Sequence, residues 1–327
     1  MDKVAILGAG AWGSAIANIV AKNGVKAVLY SNDEKSTQEI NEKHTNTGFV
    51  SGDMEKKVSA TTDLKDAVKG ADCVFIILPS KVVSLVLKDL QVLKSKFKQK
   101  FVIFTKGIDS TERFFSDLVE EYFPEGDIAV LSGPNFATEV FEHRLTVTTV
   151  ATKNKAFFDE LKTVLNCDYF NIKYFDDLIA VQLCGLVKNV LAILCGISEG
   201  LELGRNTFAA IVTKGVDEIH TLCLNYNCNE KVINTPAGIG DLILTCSSLK
   251  SRNMSFGFKI GCGENIKTII EDSATTIEGL ANAKTLSVLS KRFGIKHSVA
   301  EMILDIVNNN YSRNELKNII MNNLFAE

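Results

Sequence analysis

The residues "VAILGAGAWG" (4–13) constrain the fold of this chain more than any other stretch. An apolar, β-branched run ends in Gly8-x-Gly10-x-x-Gly13, and a helix-patterned segment (12–23) follows at once. A strand, a glycine turn and a helix in that order open a sheet built of βα units. Gly8 permits the tight turn, and Gly10 lets the backbone approach a pyrophosphate. Gly13 lets helix and strand pack closely, so that the helix N-terminus faces the anion. A bare GxGxxG would mark only a tight turn; in this context it predicts dinucleotide binding.

Further runs rich in β-branched and aromatic residues follow: "KAVLY" (26–30), "CVFIIL" (73–78), "FVIF" (101–104), "IAVL" (128–131) and "TVTTV" (146–150). Helix-patterned stretches such as 82–95 lie between several of them. The alternation predicts an α/β domain over 1–177, a Rossmann-like, doubly wound and largely parallel sheet covered on both faces. After about residue 178 the strand signals stop. Helical periodicity takes over at 177–200, 206–226, 239–246, 278–293 and 298–309, which predicts an all-helical C-terminal domain over 178–327. In "SRNE" (312–315), Ser312 and Glu315 can form a capping box at the start of the last helix. A length of 327 residues suits two domains with separate cores.

A formal charge of −3 argues against a chain dedicated to nucleic acid. The basic cluster "KDLQVLKSKFKQK" (88–100) reads as the solvated face and end of one helix. Eight cysteines occur without a CxxC pair, several inside apolar runs, and the four histidines are scattered. No metal site is expected from that spacing. Reduced thiols, with no export pattern in "MDKVAILGAG" and no address signal in "NNLFAE", predict a cytoplasmic protein. The run 178–197 is long enough to span a bilayer. A lysine at the bilayer centre costs roughly 2.5–3.5 kcal/mol, so a buried helix without a membrane span is the expectation.

The second strand ends "LYSNDE". Asp33 lies 20 residues past Gly13, near where an acid holds an adenosine ribose, and the neutral Asn32 is the other candidate. With no Arg/Lys pair at that edge, NAD is favoured over NADP.

"LIAVQLCGLVKNVLAILCGI" (178–197) puts Lys188 inside an apolar helix. Its helical neighbours are Cys184, Gly185, Ala192 and Cys195, with Gly196 alongside, and all are small. That stripe leaves room for something other than protein beside the amine. The bland alternative is a lysine that snorkels to the surface or pairs with a buried acid. Burial favours the neutral amine, more so beside a second cation, and such a lysine can trade a proton near neutral pH. Three polar clusters could complete a site. "FTKGID" puts Lys106 just past the C-terminal end of a strand, where doubly wound sheets bind ligands. "SGPNFATE" (132–139) is a glycine–proline turn followed by Asn135 and a helix start. "AGIGDLILTCSSLKSRN" (237–253) offers Asp241 and Thr245 at i, i+4, then Arg252 and Asn253, a pair that taken alone reads as an exposed turn.

In order and spacing, "GAGAWGSAIA", "ATTDL" (60–64), "TKG" (105–107), "SGPNFATEV", "CGLVKNVLAI", "GIGDLILTC", "SRN" (251–253) and "IEG" (277–279) closely resemble bacterial-type NAD(P)-dependent glycerol-3-phosphate dehydrogenase. The resemblance implies a Rossmann-like domain and a helical domain that closes over the substrate. The implied reaction is reversible hydride transfer between NAD(P)H and dihydroxyacetone phosphate, giving glycerol 3-phosphate for glycerophospholipid synthesis. By the same resemblance Lys188 is the general acid, with Asp241 and Thr245 orienting it and Lys106 polarising the carbonyl. Ser251, Arg252 and Asn253 would hold the substrate phosphate. Gly133, Asn135 and Ala137 would line the nicotinamide–substrate junction. Gly8, Gly10, Ala11, Trp12 and Gly13 would hold the pyrophosphate, with Asn32 at the adenosine edge. Ile277 and Glu278 would close over the cofactor, which Lys106 and Arg252 also touch. Three positions depart from the family pattern: Ala11 replaces a frequent serine, Asn32 a frequent arginine or histidine, and Cys184 a frequent glycine.

Two other classes compete. A related Rossmann-plus-helical hydroxy-acid or sugar-acid dehydrogenase would use Arg252 and Asn253 on a carboxylate. A non-enzymatic NADH-sensing module would need no proton-transfer lysine. The partner expected is a small-molecule substrate, and a homodimer is one assembly open to the chain.

Overall fold

The computed structural model describes residues 1–109, 111–272, 277–309 and 311–325. The chain divides into two compact units, Met1–Leu178 and Ile179–Glu327.

The first unit is built on one sheet of eight strands: β1 (Lys3–Leu7), β2 (Lys26–Tyr30), β3 (Val58–Thr61), β4 (Cys73–Ile76), β5 (Lys100–Ile103), β6 (Asp127–Ser132), β7 (Thr146–Ala151) and β8 (Phe170–Phe175). Their order is β3-β2-β1-β4-β5-β6-β7-β8. β1 to β6 are parallel, as expected from the sequence, while β7 runs antiparallel to β6 and carries β8 parallel to itself. The strand order reverses between β1 and β4, so the C-terminal ends of β1, β2, β5 and β6 line one edge beside a topological switch point.

β3 and β8 went unread in the sequence. Both are edge strands, and their buried residues alternate with polar ones (Val58 and Ala60; Phe170 and Ile172), so neither shows the unbroken apolar run of β1 or β4.

The helices of this unit are α1 (Ala11–Lys22), α2 (Glu34–Lys43), α3 (Leu64–Val68), α4 (Ser80–Val92), α5 (Phe115–Tyr122), α6 (Ala137–Phe141) and α7 (Lys155–Leu165). α1 is buried from Gly13 to Ala21, and its run of glycine, serine and alanine keeps it thin enough to lie against the sheet. α4 buries Val83, Leu87 and Leu90, one stripe at 3.6-residue spacing.

The second unit contains only helices among its described residues: α8 (Leu178–Gly200), α9 (Gly204–Asn225), α10 (Asp241–Cys246), α11 (Arg252–Gly261), α12 (Ile266–Glu271), α13 (Glu278–Arg292), α14 (Val299–Asn308) and α15 (Arg313–Phe325), with short turns at Glu230–Asn234 and Pro236–Gly240. α8 is long and apolar enough to cross a membrane by length and composition, yet 94% of its most apolar window is buried, as in a core helix. α11 and α12 escaped the sequence reading. A methyl group on Gly196 would overlap the Met254 carbonyl, and one on Gly257 would overlap the Ile193 carbonyl. The glycines of α11 therefore serve a close backbone crossing with α8, and they also dilute its helical signal. The capping box of α15 forms: Ser312 N–H donates to the Glu315 carboxylate at 2.7 Å, and Glu315 N–H reaches Ser312 Oγ at 3.4 Å.

One buried charge in this unit carries a pH signature. Glu218 of α9 is 2% exposed, and its Oε1 accepts the N–H of Val299 at the start of α14 (2.7 Å), while Oε2 has no partner among the described residues. Burial pushes this carboxyl from the ordinary 4.5 up to about 7, against the Val299 hydrogen bond and Lys214, with Asp217 and Glu301 adding to the rise. A raised carboxyl holds its proton in the folded chain at pH values where the unfolded chain has released it. Stability is therefore lost as pH climbs from about 4.5 to about 7. Urea unfolding should show wild type losing on the order of 2 kcal/mol more than Glu218→Gln between pH 5 and pH 8. Parallel losses would contradict the assignment.

Candidate active site

Lys188 occupies the middle of α8, with nothing but buried residues for two turns on either side. Its Nζ donates to Asp241 Oδ1 at 2.5 Å and to Thr245 Oγ1 at 3.0 Å, and the Thr245 hydroxyl donates to Asp241 Oδ1 at 3.1 Å. Lys188, Asp241 and Thr245 are 5%, 2% and 6% exposed. Asp241 and Thr245 meet the amine together because they lie one turn apart on α10. The Pro236–Gly240 turn sets where α10 begins: Gly238 N–H bonds to the Thr235 hydroxyl, and a methyl on Gly238 would overlap the carbonyls of Val232 and Ile233.

The pairing revises one step of the sequence reading. Burial by itself favours a neutral amine, but a carboxylate in contact favours the ammonium. The geometry is that of a protonated lysine held by two oxygens. A second revision concerns the stripe of small residues around Lys188. Cys195 has Cys246 of α10 as its neighbour, and that thiol, with burial, pushes the Cys195 thiol well above the ordinary range. Gly196 lies against the α11 backbone. That part of the stripe is filled by protein and serves helix packing.

The "SRN" cluster follows directly. Ser251 is the N-cap of α11, its hydroxyl accepting from Met254 N–H at 3.4 Å. Arg252 opens the helix and is exposed, while Asn253 is buried at 7%. The pair is thus the first turn of a helix, where amides lack intrahelical partners, and the exposed-turn reading is corrected. Asn253 Nδ2 donates to Asn189 Oδ1 at 3.1 Å, and its Oδ1 accepts from Gly279 N–H at 2.9 Å. These two bonds tie α8, α11 and the start of α13 together, and they commit much of the Asn253 amide to the protein. Ile277 is the buried N-cap residue of α13 and Glu278 its first residue. Asn189, which is not among the residues expected from the sequence, belongs to this site. It is 4% exposed, follows Lys188 directly, and its Nδ2 lacks a partner among the described residues.

In the first unit the remaining predicted residues fall at the C-terminal ends of strands. Gly8 follows β1 with φ +115°, and a methyl there would overlap the Ile77 carbonyl. One on Gly13 would overlap the Gly8 carbonyl, so both glycines are required by close contact. A methyl on Gly10 would meet no described atom within 4 Å. Open space therefore lies on the Cβ side of Gly10, at the N-cap of α1. Ala11 begins α1, and the half-buried Trp12 ring packs near Phe104 and Phe170 (centroids 6.2 and 6.4 Å). Asn32 is exposed just past β2, and the Asp33 carboxylate caps α2 by accepting Lys35 N–H at 3.0 Å. Lys106 is half-buried after β5. Gly133 follows β6 and is pressed against Thr148 of β7, where a Cβ would meet Thr148 Oγ1 at 2.5 Å. Asn135 Nδ2 donates to that hydroxyl at 3.3 Å, and Ala137 opens α6.

Comparison with known proteins agrees with this geometry. Residues 3–158 match the family model for the NAD-dependent glycerol-3-phosphate dehydrogenase N-terminus, and residues 177–318 match that for its C-terminus. The chain is 36% identical over 307 residues to a glycerol-3-phosphate dehydrogenase [NAD(P)+] of Parvibaculum lavamentivorans, covering 93% of this chain and 92% of the relative. It is 34% identical over 316 residues to the corresponding protein of Pediococcus pentosaceus, covering 94% of each. The crystal structure of glycerol-3-phosphate dehydrogenase from Coxiella burnetii superposes with a TM-score of 0.91 at 31% identity, covering 99% of both chains.

The buried pair makes a direct energetic prediction. Asp241→Ala leaves an ammonium without its counter-charge and should cost about 3–5 kcal/mol in urea unfolding at pH 7. The double variant Lys188→Met/Asp241→Leu should recover most of that loss, and a single variant as stable as wild type would contradict the pairing.

Proposed function

The chain belongs to the NAD-dependent glycerol-3-phosphate dehydrogenase family, and from that premise we propose that it interconverts dihydroxyacetone phosphate and glycerol 3-phosphate. The observation that carries the reading is the buried Lys188–Asp241–Thr245 cluster, with Arg252 opening a helix whose Asn253 is hydrogen-bonded to the residue after Lys188.

A nicotinamide dinucleotide, when bound, would supply or take up the hydride at the C2 carbon of the substrate. In ketone reduction the oxygen on that carbon gains negative charge, and the Lys188 ammonium donates the proton that makes it a hydroxyl. In the reverse direction the neutral amine takes the proton back. Asp241 and Thr245 hold Nζ in place and favour its charged form. Lys106 polarises the carbonyl as a second cation. The Arg252 guanidinium binds the substrate phosphate as a fork, aided by the amides of the first turn of α11, with Ser251 and Asn253 shaping that turn. Gly133, Asn135 and Ala137 line the junction between nicotinamide and substrate. Ile277 and Glu278, at the start of α13, would help hold the cofactor. The first unit serves as the dinucleotide-binding domain and the second as the substrate-binding domain, dividing between Leu178 and Ile179, one residue past the boundary expected from the sequence. Asn32, neutral and exposed at the adenosine edge, supports NAD over NADP. The eight free cysteines support a cytoplasmic setting, and the product is suited to supply glycerophospholipid synthesis.

The hydroxy-acid and sugar-acid alternatives lose ground to the family match over both halves of the chain. An NADH-sensing role leaves the lysine cluster unexplained.

Lys188→Ala should keep NADH binding while turnover of dihydroxyacetone phosphate falls by at least about 10²-fold; wild-type-like turnover would remove the mechanism. Arg252→Ala should mainly raise KM for the phosphorylated ketone. A panel of NADH and NADPH with dihydroxyacetone phosphate, dihydroxyacetone and 2-keto acids tests the substrate, and preference for a 2-keto acid would overturn it.

A further inference from the structure

Asn46, in the segment between α2 and β3, is 1% exposed and uses its whole side chain. Its Nδ2 donates one hydrogen to the Ala9 carbonyl at 2.8 Å and one to Ser14 Oγ at 2.9 Å. Its Oδ1 accepts the Ser36 hydroxyl at 2.8 Å. Both serines are buried. The backbone is fixed as well, because the Asn46 carbonyl accepts the N–H groups of Phe49 and Val50. Only an amide supplies two donors and an acceptor at this reach, since an aspartate loses the donors and a serine is too short.

What Asn46 grips gives it a role beyond packing. Ala9 lies between Gly8, with its positive φ, and Gly10, whose Cβ position opens on empty space. The Ala9 carbonyl and the Gly10 N–H belong to one planar trans peptide and point in opposite directions. Holding that carbonyl inward aims the Gly10 N–H outward, toward the open face of the cradle. Ser14 lies in the first turns of α1. Ser36 lies in the first turn of α2, directly after the Ser31–Asp33 segment at the adenosine edge.

We propose that Asn46 is a positioning residue for the dinucleotide, a latch that fixes the orientation of the Ala9–Gly10 peptide and couples the pyrophosphate loop to α2. The inference rests on the reading of this unit as dinucleotide-binding. The Asn46 amide is spent on protein partners, so it would act through the Ala9–Gly10 peptide, and its loss would weaken cofactor affinity without changing the chemical step.

The test is fluorescence titration of the full chain with NADH and NADPH, alongside steady-state kinetics. Asn46→Asp keeps the size and the acceptor for Ser36 but sets an oxygen against the Ala9 carbonyl. It should raise Kd and KM for NADH at least about tenfold, with kcat at saturating NADH within about twofold and KM for dihydroxyacetone phosphate unchanged. A merely structural role would lower the melting temperature and leave this split absent. Should Asn46→Asp not fold, Ser36→Ala decides: it frees one side of the amide and should raise Kd for NADH about threefold. An NADH Kd within experimental error of wild type in the folded variant overturns the latch alone. A wild-type chain that binds neither NADH nor NADPH overturns the cofactor reading, and the latch with it.

Discussion

Lys188 and Asp241 hold opposite charges 2.5 Å apart at positions that are 5% and 2% exposed. Either charge left there alone would be costly, because burial strips it of water without supplying a counter-charge. Together they offset much of each other's desolvation, and Thr245 supplies a further hydrogen bond. The arrangement specifies geometry more than it adds stability. It fixes α10 against α8, demands the Pro236–Gly240 turn that starts α10 at Asp241, and leaves a proton-bearing amine in a defined place. A proton donor of this kind is what carbonyl reduction requires beyond a hydride.

The neighbouring elements extend that order. Through Asn189, Asn253 and Gly279, hydrogen bonds run from the residue beside Lys188 to the first turn of α11 and on to the start of α13. The helix N-terminus assigned to the phosphate is thereby registered against the helix that carries the amine. In the other unit a different physical constraint does the equivalent work. Parallel strands present their C-terminal ends on one side, so the glycine loop, Asn32, Lys106 and Asn135 follow β1, β2, β5 and β6 along a single edge. Asn46 is to the glycine loop what Asn253 is to α11, a buried amide whose hydrogen bonds hold a main-chain segment in the orientation that a ligand needs.

The central part of this design was legible in the sequence because its signals are local. The Gly8–Gly13 spacing, the unbroken apolar strands β1, β4 and β5, and a lysine within an apolar helix each declare themselves within a few residues. The i, i+4 spacing of Asp241 and Thr245 anticipated the face they share. What escaped was set by tertiary contact. β3 and β8 are edge strands with alternating polarity, and α11 carries glycines that serve its crossing with α8. The small residues at 195 and 196 looked like space for a ligand but face Cys246 and the α11 backbone. Asn46 and Asn189 gave no signal, since an asparagine in a sequence reads as a turn or surface residue until its partners, tens of residues away, are in place.

The most direct test of the central claim is chemical rescue of Lys188→Ala by small primary amines. If the buried amine delivers the proton, methylamine or ethylamine entering the vacated space should restore dihydroxyacetone phosphate reduction at least about tenfold, saturably with amine concentration. A variant that still binds NADH and the substrate yet gains nothing from any amine would contradict proton transfer by Lys188.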